Sequence, residues 1–519
     1  MQLILIILGL SYLNPNSFLP WPNAMQDFCA MVALILLTAT QFIKKNIQIN
    51  KNTFYLFLFI LSIPIIQFLF NILFFKQELF LSILYISIFF LSIIYGINQK
   101  EASNRIIKVS FFFVSVGIVC VFIQIIQWTN IYYSPFILES NYLRPSANLG
   151  QPNNLATLLF ICLFSNLYIF KNKKINTSFY ISINIFIIFG IALTQSRTSW
   201  IVFIALLILS HFKKELKLFK TIMINSILFF ILVLITPYIT LFYHGKGLTI
   251  IERINSDYSR LSIWKQIIIA ITNKPLTGYG WNQTSVAQTQ ISLKYPIKVW
   301  LEYSHNMFLD ILVWTGIPIG LLIITLINKW LFKTYQNIKN TNQLIIFFII
   351  ISFFIHCMFE FPFAYAYFLI PVGIYIGFLN KQDYNIITIN IFTILLFLLI
   401  STLLTIITID YMVLSEKRNN YSTKYLFSKK ISPLESNIKI LDALDLHNDI
   451  LFLNDCYILK NKSIKNIKHI FYRYPTNKNI VIYYRFSLYY KNSSKEVIEY
   501  MKLKYPNFDS NQSKYNMCN

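Results

Sequence analysis

Apolar runs near 1–13, 27–43, 54–73, 79–97, 106–127, 154–170, 179–195, 198–211, 221–241, 306–328, 343–359, 363–379 and 386–409 constrain this chain more than anything else in it. Each reads as a membrane-crossing helix, because a hydrocarbon core of about 30 Å is spanned by roughly 20 apolar helical residues. A chain of 519 residues that is 56% hydrophobic and 13% charged cannot bury that surface in one water-soluble core. The expected fold class is an all-α polytopic membrane protein of about 13 transmembrane helices. Met1 to Tyr12 lacks a basic start and a small-residue cleavage site, so it reads as a first span and not as a removable signal. The run 179–211 is split in two because Gln195-Ser196-Arg197-Thr198 is too polar to cross hydrocarbon.

Basic residues orient these spans. Lys44, Lys45, Lys100, Lys171, Lys213 and Lys333 belong to one set of short loops, whereas the alternate short loops hold only Lys76, Arg144 and Arg197. The lysine-rich set is cytoplasmic by the positive-inside rule. An odd span count then puts the loop 242–305 and the tail on the far side, the periplasm of a Gram-negative cell. Two parts follow: a transmembrane domain, 1–409, with its large periplasmic loop 242–305, and a small α-helical periplasmic module, 410–519. Ser432-Pro433-Leu434-Glu435 and Ser493-Ser494-Lys495-Glu496 both fit the capping box, and each predicts a helix start in that module. Leu434, Ile438 and Leu441 continue the first at helical spacing.

The formal net charge of +24 raises nucleic acid as a partner, but no motif for it is present and the basic residues sit mostly between apolar runs. Topogenic lysines explain the charge, and no nucleic-acid partner is expected. Cys29, Cys120, Cys162 and Cys357 lie in or beside apolar runs and fit buried small hydrophobes. Cys456 and Cys518 lie in the polar tail, where an oxidising compartment would allow them to pair. No cysteines or histidines have metal-ligand spacing, so neither a metal nor another cofactor is expected.

The polar groups suited to chemistry gather on the far side. Arg144, Arg197 and Arg260 each stand at a membrane boundary there. A single interfacial arginine is ordinarily a snorkelling anchor. Three on one face suit a lipid diphosphate, since guanidinium forks grip phosphate oxygens and stay charged where the dielectric is low. His305 closes the long loop where it enters the run 306–328, so it could take a proton from an acceptor hydroxyl while Glu302 or another carboxylate orients the ring. His356 and Glu360 are four residues apart, on one helical face, which also suits a buried polar pair bracing the bundle.

Four segments carry a resemblance: Arg144 to Ala156, with Asn148-Leu149-Gly150-Gln151-Pro152-Asn153-Asn154 at its centre; Thr194 to Thr198; Ser304-His305-Asn306 followed by Gly316 and Gly320; and His356 to Pro362 with Tyr365 to Pro371. Together with the loop from Asn14-Pro15 to Trp21-Pro22 and with Asp410-Tyr411, they resemble the PglL-type bacterial O-oligosaccharyltransferases, in the wider superfamily of O-antigen ligases and Wzy polymerases. The resemblance implies a GT-C-like helical enzyme of the inner membrane. Such an enzyme takes a glycan from undecaprenyl diphosphate and transfers it en bloc to Ser or Thr of periplasmic proteins, type IV pilins included. Its lipid-linked oligosaccharide donor, its acceptor protein and the membrane lipid are then the partners. Carried over by motif, Arg144, Arg197 and Arg260 bind the diphosphate and His305 assists deprotonation; Glu302 stands beside it as the catalytic candidate from the residue reading above. Gln151, Asn153, Tyr279, His356 and Glu360 are the remaining substrate-binding candidates. Where relatives often carry Glu after the first Pro-Trp motif, this chain has Gln26-Asp27. Neither Trp-Trp-Asp nor Asp-x-Asp is present, so arginines and not a divalent ion are expected to stabilise the leaving diphosphate. Within the superfamily the alternatives are a lipopolysaccharide O-antigen ligase or a repeat-unit polymerase. Outside it, the alternative is a lipid-linked glycan flippase, which would need polar residues at mid-membrane depth.

Overall fold

The computed structural model describes residues 2–40, 47–99, 102–244, 259–297, 299–380, 386–427, 431–434, 436–490 and 495–504. Every apolar run named above carries a helix. Among the described residues, seven helices are long and apolar enough to cross a membrane, and six further apolar helices, such as Thr341–Cys357 and Ala366–Leu379, are shorter. Helices are the outcome physics demands, because hydrocarbon offers backbone N–H and C=O groups no partner outside the segment. Pro152–Lys171 is the central helix and is buried along nearly all its length, whereas Ile317–Gln336 and Phe219–His244 turn most of their apolar surface outward. Lys76–Ile97 and Ala366–Leu379 pack so closely that a Cβ on Gly96 would lie 2.3 Å from the Ile374 carbonyl oxygen. Small residues at that crossing let the two backbones meet.

Contacts segregate the loops into two ends. At the lysine-rich end Gln48–Asn50 and Ile386–Thr388 form a two-stranded antiparallel sheet with Ile49 opposite Ile387. The Asn98 amide donates to the Gln48 carbonyl (2.8 Å), Lys213 donates to the Gln336 carbonyl (3.3 Å), and Asn172 pairs with Asn342. An apolar cavity lined by Leu5, Leu8, Leu37, Arg105 and Phe378 opens at this end, away from the residues discussed below. At the other end the Asn148 amide donates to the Leu13 carbonyl (2.6 Å), and the Tyr411 hydroxyl donates to the Phe18 carbonyl (3.3 Å).

Three sequence expectations are corrected. The run 306–328 is two helices, Met307–Thr315 and Ile317–Gln336, broken at Gly316 (φ 79°). Carbonyls freed at the break are satisfied from the long loop, since Tyr279 N donates to Val313 O (2.8 Å) and Gly280 N to Trp314 O (3.1 Å). Gln67 adds a stitch, donating to Trp314 O and accepting from Trp281 N, both at 2.8 Å. Gly278 is obligatory there, as its Cβ would lie 2.6 Å from Gly316 N. Second, the last apolar run begins helically only at Asn390, and that helix, Asn390–Leu426, passes straight through the boundary at 410 because no breaker interrupts it. Third, the helix anticipated at Pro433 does not form among the described residues around it. The Asp410 carboxylate collects the backbone N–H groups of Lys439, Ile440 and Leu441 instead, and the helix Asp442–Phe452 starts after them. Lys495–Lys504 starts where the second capping box predicts, although Ser493 and Ser494 lie outside the described residues. Cys456 is disulfide-bonded; Cys518 lies outside the described residues.

The tail helices dock on the membrane part through aromatic and polar contacts, His469 among them, while a second histidine, His447, packs inside the tail. His469 stacks on Phe74 (4.0 Å), and His447 stacks on Tyr474 (5.1 Å) while its Nδ1 lies 3.0 Å from the Asn479 amide nitrogen. Burial first, then neighbouring lysines or Arg418, pushes both imidazoles down to about 4 from an ordinary 6.5. The unfolded chain therefore binds more protons between those values, and stability falls as pH drops from about 6.5 to 4. We expect the melting temperature of the purified protein to fall by several degrees over that window, and a His447→Phe/His469→Phe variant to flatten the fall. An unchanged slope in the variant would assign the effect to other groups.

Candidate active site

Glu360 is the hub around which the sequence candidates meet. It stands in the turn between Thr341–Cys357 and Ala366–Leu379, with its side chain only 3% exposed. Four donors reach its carboxylate. Arg260 and the Asn153 amide (2.6 Å) take Oε1; His305 Nδ1 (3.1 Å) and the Gln151 amide (3.3 Å) take Oε2. Arg144 lies one step further out, donating from Nη2 to the Asn153 side-chain oxygen and from Nε to the Thr194 carbonyl, both at 3.3 Å. Arg144, Arg197 and Arg260 repel one another and are attracted to Glu360. Burial, then Arg197 and Arg260, holds the Arg144 guanidinium below the ordinary arginine range, with Glu360 opposing.

Local sequence explains the placement. Pro152 opens the central helix and leaves Gln151 and Asn153 at its tip, pointing at Glu360. Ala147 (φ 50°), Gln195 (φ 49°) and His305 (φ 58°) all adopt left-handed backbone, one in each of the three segments that surround the carboxylate. Such conformations cost energy for side chains with a Cβ and persist where surrounding contacts enforce them. At His305 the enforcing contacts are evident. Ser304 N donates to Asp310 Oδ1 (2.9 Å), Trp264 Nε1 donates to the Ser304 carbonyl (3.1 Å), and Asn306 caps the next helix through Phe308 N and Leu309 N. The Glu360 turn is braced by Asp27, which accepts from Ala366 N (2.7 Å) and the Tyr85 hydroxyl (2.6 Å).

The structure separates other candidates from the cluster. Glu302 does not orient His305: its carboxylate, about half exposed, pairs with Arg473 of the tail at 3.5 Å. Glu360 occupies the orienting place. Tyr279 is buried, because its backbone plugs the break at Gly316, and Lys274 covers its ring at 4.4 Å. His356 is fully buried, with Nδ1 3.0 Å from the Ser352 carbonyl and its ring beside Phe160; its hydrogen bond with Glu360 is through backbone, Glu360 N donating to His356 O. Sequence reasoning passed over Asp310 and Arg473. A lone carboxylate inside an apolar run was the available signal for Asp310; Arg473, one basic residue among many in the tail, offered none.

The arrangement suits deprotonation of a hydroxyl beside an anion. With Nδ1–H donating to Glu360, the His305 ring has its free lone pair on Nε2, the nitrogen able to accept a proton. Three guanidinium groups stand near one carboxylate, an arrangement suited to an anion beside the His305 ring.

Comparison with known proteins agrees. Residues 183–324 match the O-antigen ligase family, and residues 344–453 match the C-terminal region of the virulence-factor membrane-bound polymerases. A ComP-specific O-oligosaccharyltransferase of Acinetobacter baylyi is 34% identical over 508 residues, 94% of this chain and 91% of the relative. A general O-oligosaccharyltransferase of the same organism is 30% identical over 394 residues, 73% of this chain and 69% of that one. On that similarity the chain belongs to the O-oligosaccharyltransferases, membrane glycosyltransferases of the O-antigen ligase superfamily.

Proposed function

We propose that this protein transfers an oligosaccharide en bloc from undecaprenyl diphosphate to Ser or Thr hydroxyls of periplasmic proteins, pilins among them, by an inverting, metal-independent reaction. The observation that carries the reading is the bonding of Arg260 and His305 to Glu360, with Arg144 one step away through Asn153 and Arg197 within electrostatic reach. The guanidinium groups hold the diphosphate and stabilise its charge as it leaves. The Asn153 and Gln151 amides keep Glu360 in place. His305 Nε2 takes the acceptor proton as the hydroxyl oxygen bonds to the anomeric carbon on the face opposite the breaking C–O bond. Proximity and fixed charge supply most of the barrier reduction.

The protein substrate is supported by relatives named O-oligosaccharyltransferases, one of them ComP-specific. Thirteen apolar helices in a GT-C-like bundle, lysine-rich loops inside and the Glu360 cluster at the periplasmic face complete the proposed topology. A disulfide-bonded Cys456 in the tail fits that oxidising side.

The test is to supply the purified chain with a lipid-linked glycan and a candidate pilin and read intact mass. A glycan-sized increment on Ser or Thr, unchanged by EDTA, is expected. Transfer to lipid A core alone would establish a ligase, and activity lost to EDTA and restored by magnesium or manganese would overturn metal independence.

A further inference from the structure

We propose that Arg473, in the C-terminal tail, is a positioning residue for the His305 turn, so that the tail is part of the active site and more than an appended docking module. The proposal rests on the reading of His305 as the base. Arg473 ends the helix Ile464–Arg473, and its side chain is 4% exposed. Each guanidinium nitrogen serves a different part of the membrane domain. Nε donates to Glu78 Oε1 (3.1 Å) at the start of the helix Lys76–Ile97, Nη1 donates to Ser285 Oγ (2.8 Å) in the helix Thr284–Ile291, and Nη2 pairs with Glu302 Oε1 (3.5 Å). A rigid planar fork can hold three such partners in one geometry, which a lysine cannot.

Glu302 is three residues before His305, and the backbone between is pinned throughout. Gln288 grips the stretch from below, its amide donating to the Val299 carbonyl (2.7 Å) and its oxygen accepting from Leu301 N (2.8 Å). Tyr303 stacks on Phe361, the neighbour of Glu360, at 5.2 Å. Ser304 is held by Asp310 and Trp264. Between the Gln288 and Asp310 anchors, the ion pair to Glu302 is supplied by the tail. The residues flanking Arg473 act on the same parts: the Tyr472 carbonyl accepts from Thr289 Oγ1 (3.0 Å), which fixes the Gln288 helix, and the Tyr474 ring lies 6.3 Å from Trp300. Asp442 of the tail also caps Lys76 N and Gln77 N, holding the turn that presents Glu78. Left-handed His305 needs this bracing, since a shift of about 1 Å in a catalytic base can cost as much as 10²-fold in rate.

Glu302 is the residue on which to test this, because its exposure lets the ion pair be removed without leaving a buried charge behind. For Glu302→Gln in the full-length protein we expect kcat to fall about tenfold with KM for donor and acceptor unchanged, and the amides of residues 301–305 to exchange with solvent about tenfold faster without substrate. Arg473→Lys, which keeps the charge and loses the fork, is expected to lie between wild type and Glu302→Gln on both readouts. Wild-type kcat and exchange in Glu302→Gln would overturn the proposal. So would a raised acceptor KM at unchanged kcat, which would make the pair a docking contact. If the wild-type chain transfers no glycan, the functional reading fails on that result alone, while the exchange comparison still decides whether Arg473 positions the turn.

Discussion

Glu360→Gln is expected to lower kcat for glycan transfer by about 10²–10⁴-fold, the range general acid–base catalysis contributes, with about 10⁴ lost where a histidine-orienting carboxylate is neutralised in a Ser-His-Asp triad. The carboxylate accepts from four donors. An amide of the same shape offers one oxygen and turns an NH2 group toward other donors, so two of the four lose their acceptor. If the NH2 group meets His305, the imidazole flips its tautomer and the lone pair moves to Nδ1. The internal counter-charge for Arg144, Arg197 and Arg260 is lost as well, so donor affinity should stay at the wild-type level or rise. This split, collapsed kcat with undiminished donor binding, separates the expected result from general destabilisation. Steady-state transfer and donor titration in lipid nanodiscs would measure it, and wild-type turnover in the variant would remove Glu360 from the mechanism.

His305→Asn should reduce transfer by a comparable factor, about 10²–10⁴-fold, through loss of the general base. Asparagine is the informative replacement, because the residue sits at φ 58° and asparagine tolerates left-handed backbone better than most side chains. The variant should therefore keep its fold and still bind the lipid-linked donor. Normal expression with a wild-type transfer rate would exclude His305 as the base, whatever family the chain belongs to.

The membrane architecture was legible because hydrocarbon enforces a simple rule. Runs such as 154–170 and 343–359 had no alternative to helix, and lysines sorted the loops. The site was legible in part, for a different reason. Gln151, Asn153, Arg144, Arg197, Arg260, His305 and Glu360 are polar groups at apolar borders, where each costs energy unless it is used. What sequence could not supply was their connectivity. Glu302, near His305 in the chain, turned to the tail, and Glu360, 55 residues on, took its place. Through-space partners depend on how helices cross, and no local pattern encodes that. The same limit hid the break at Gly316, whose cause is the 275–280 segment threading into it, and the loss of the helix start at Pro433, which Asp410 overrode from outside the local sequence.

The tail's grip on Glu78, Ser285 and Glu302 also bears on biosynthesis. A polypeptide is made from its N-terminus, so His305, Glu360 and the arginines are all in the membrane before Arg473 has left the ribosome. The turn bearing His305 gains its last brace only when the final hundred or so residues emerge and fold. On the proposed role of Arg473, ordering of the His305 turn is thereby tied to synthesis of the tail, and a copy terminated before Arg473 would occupy the membrane without that brace.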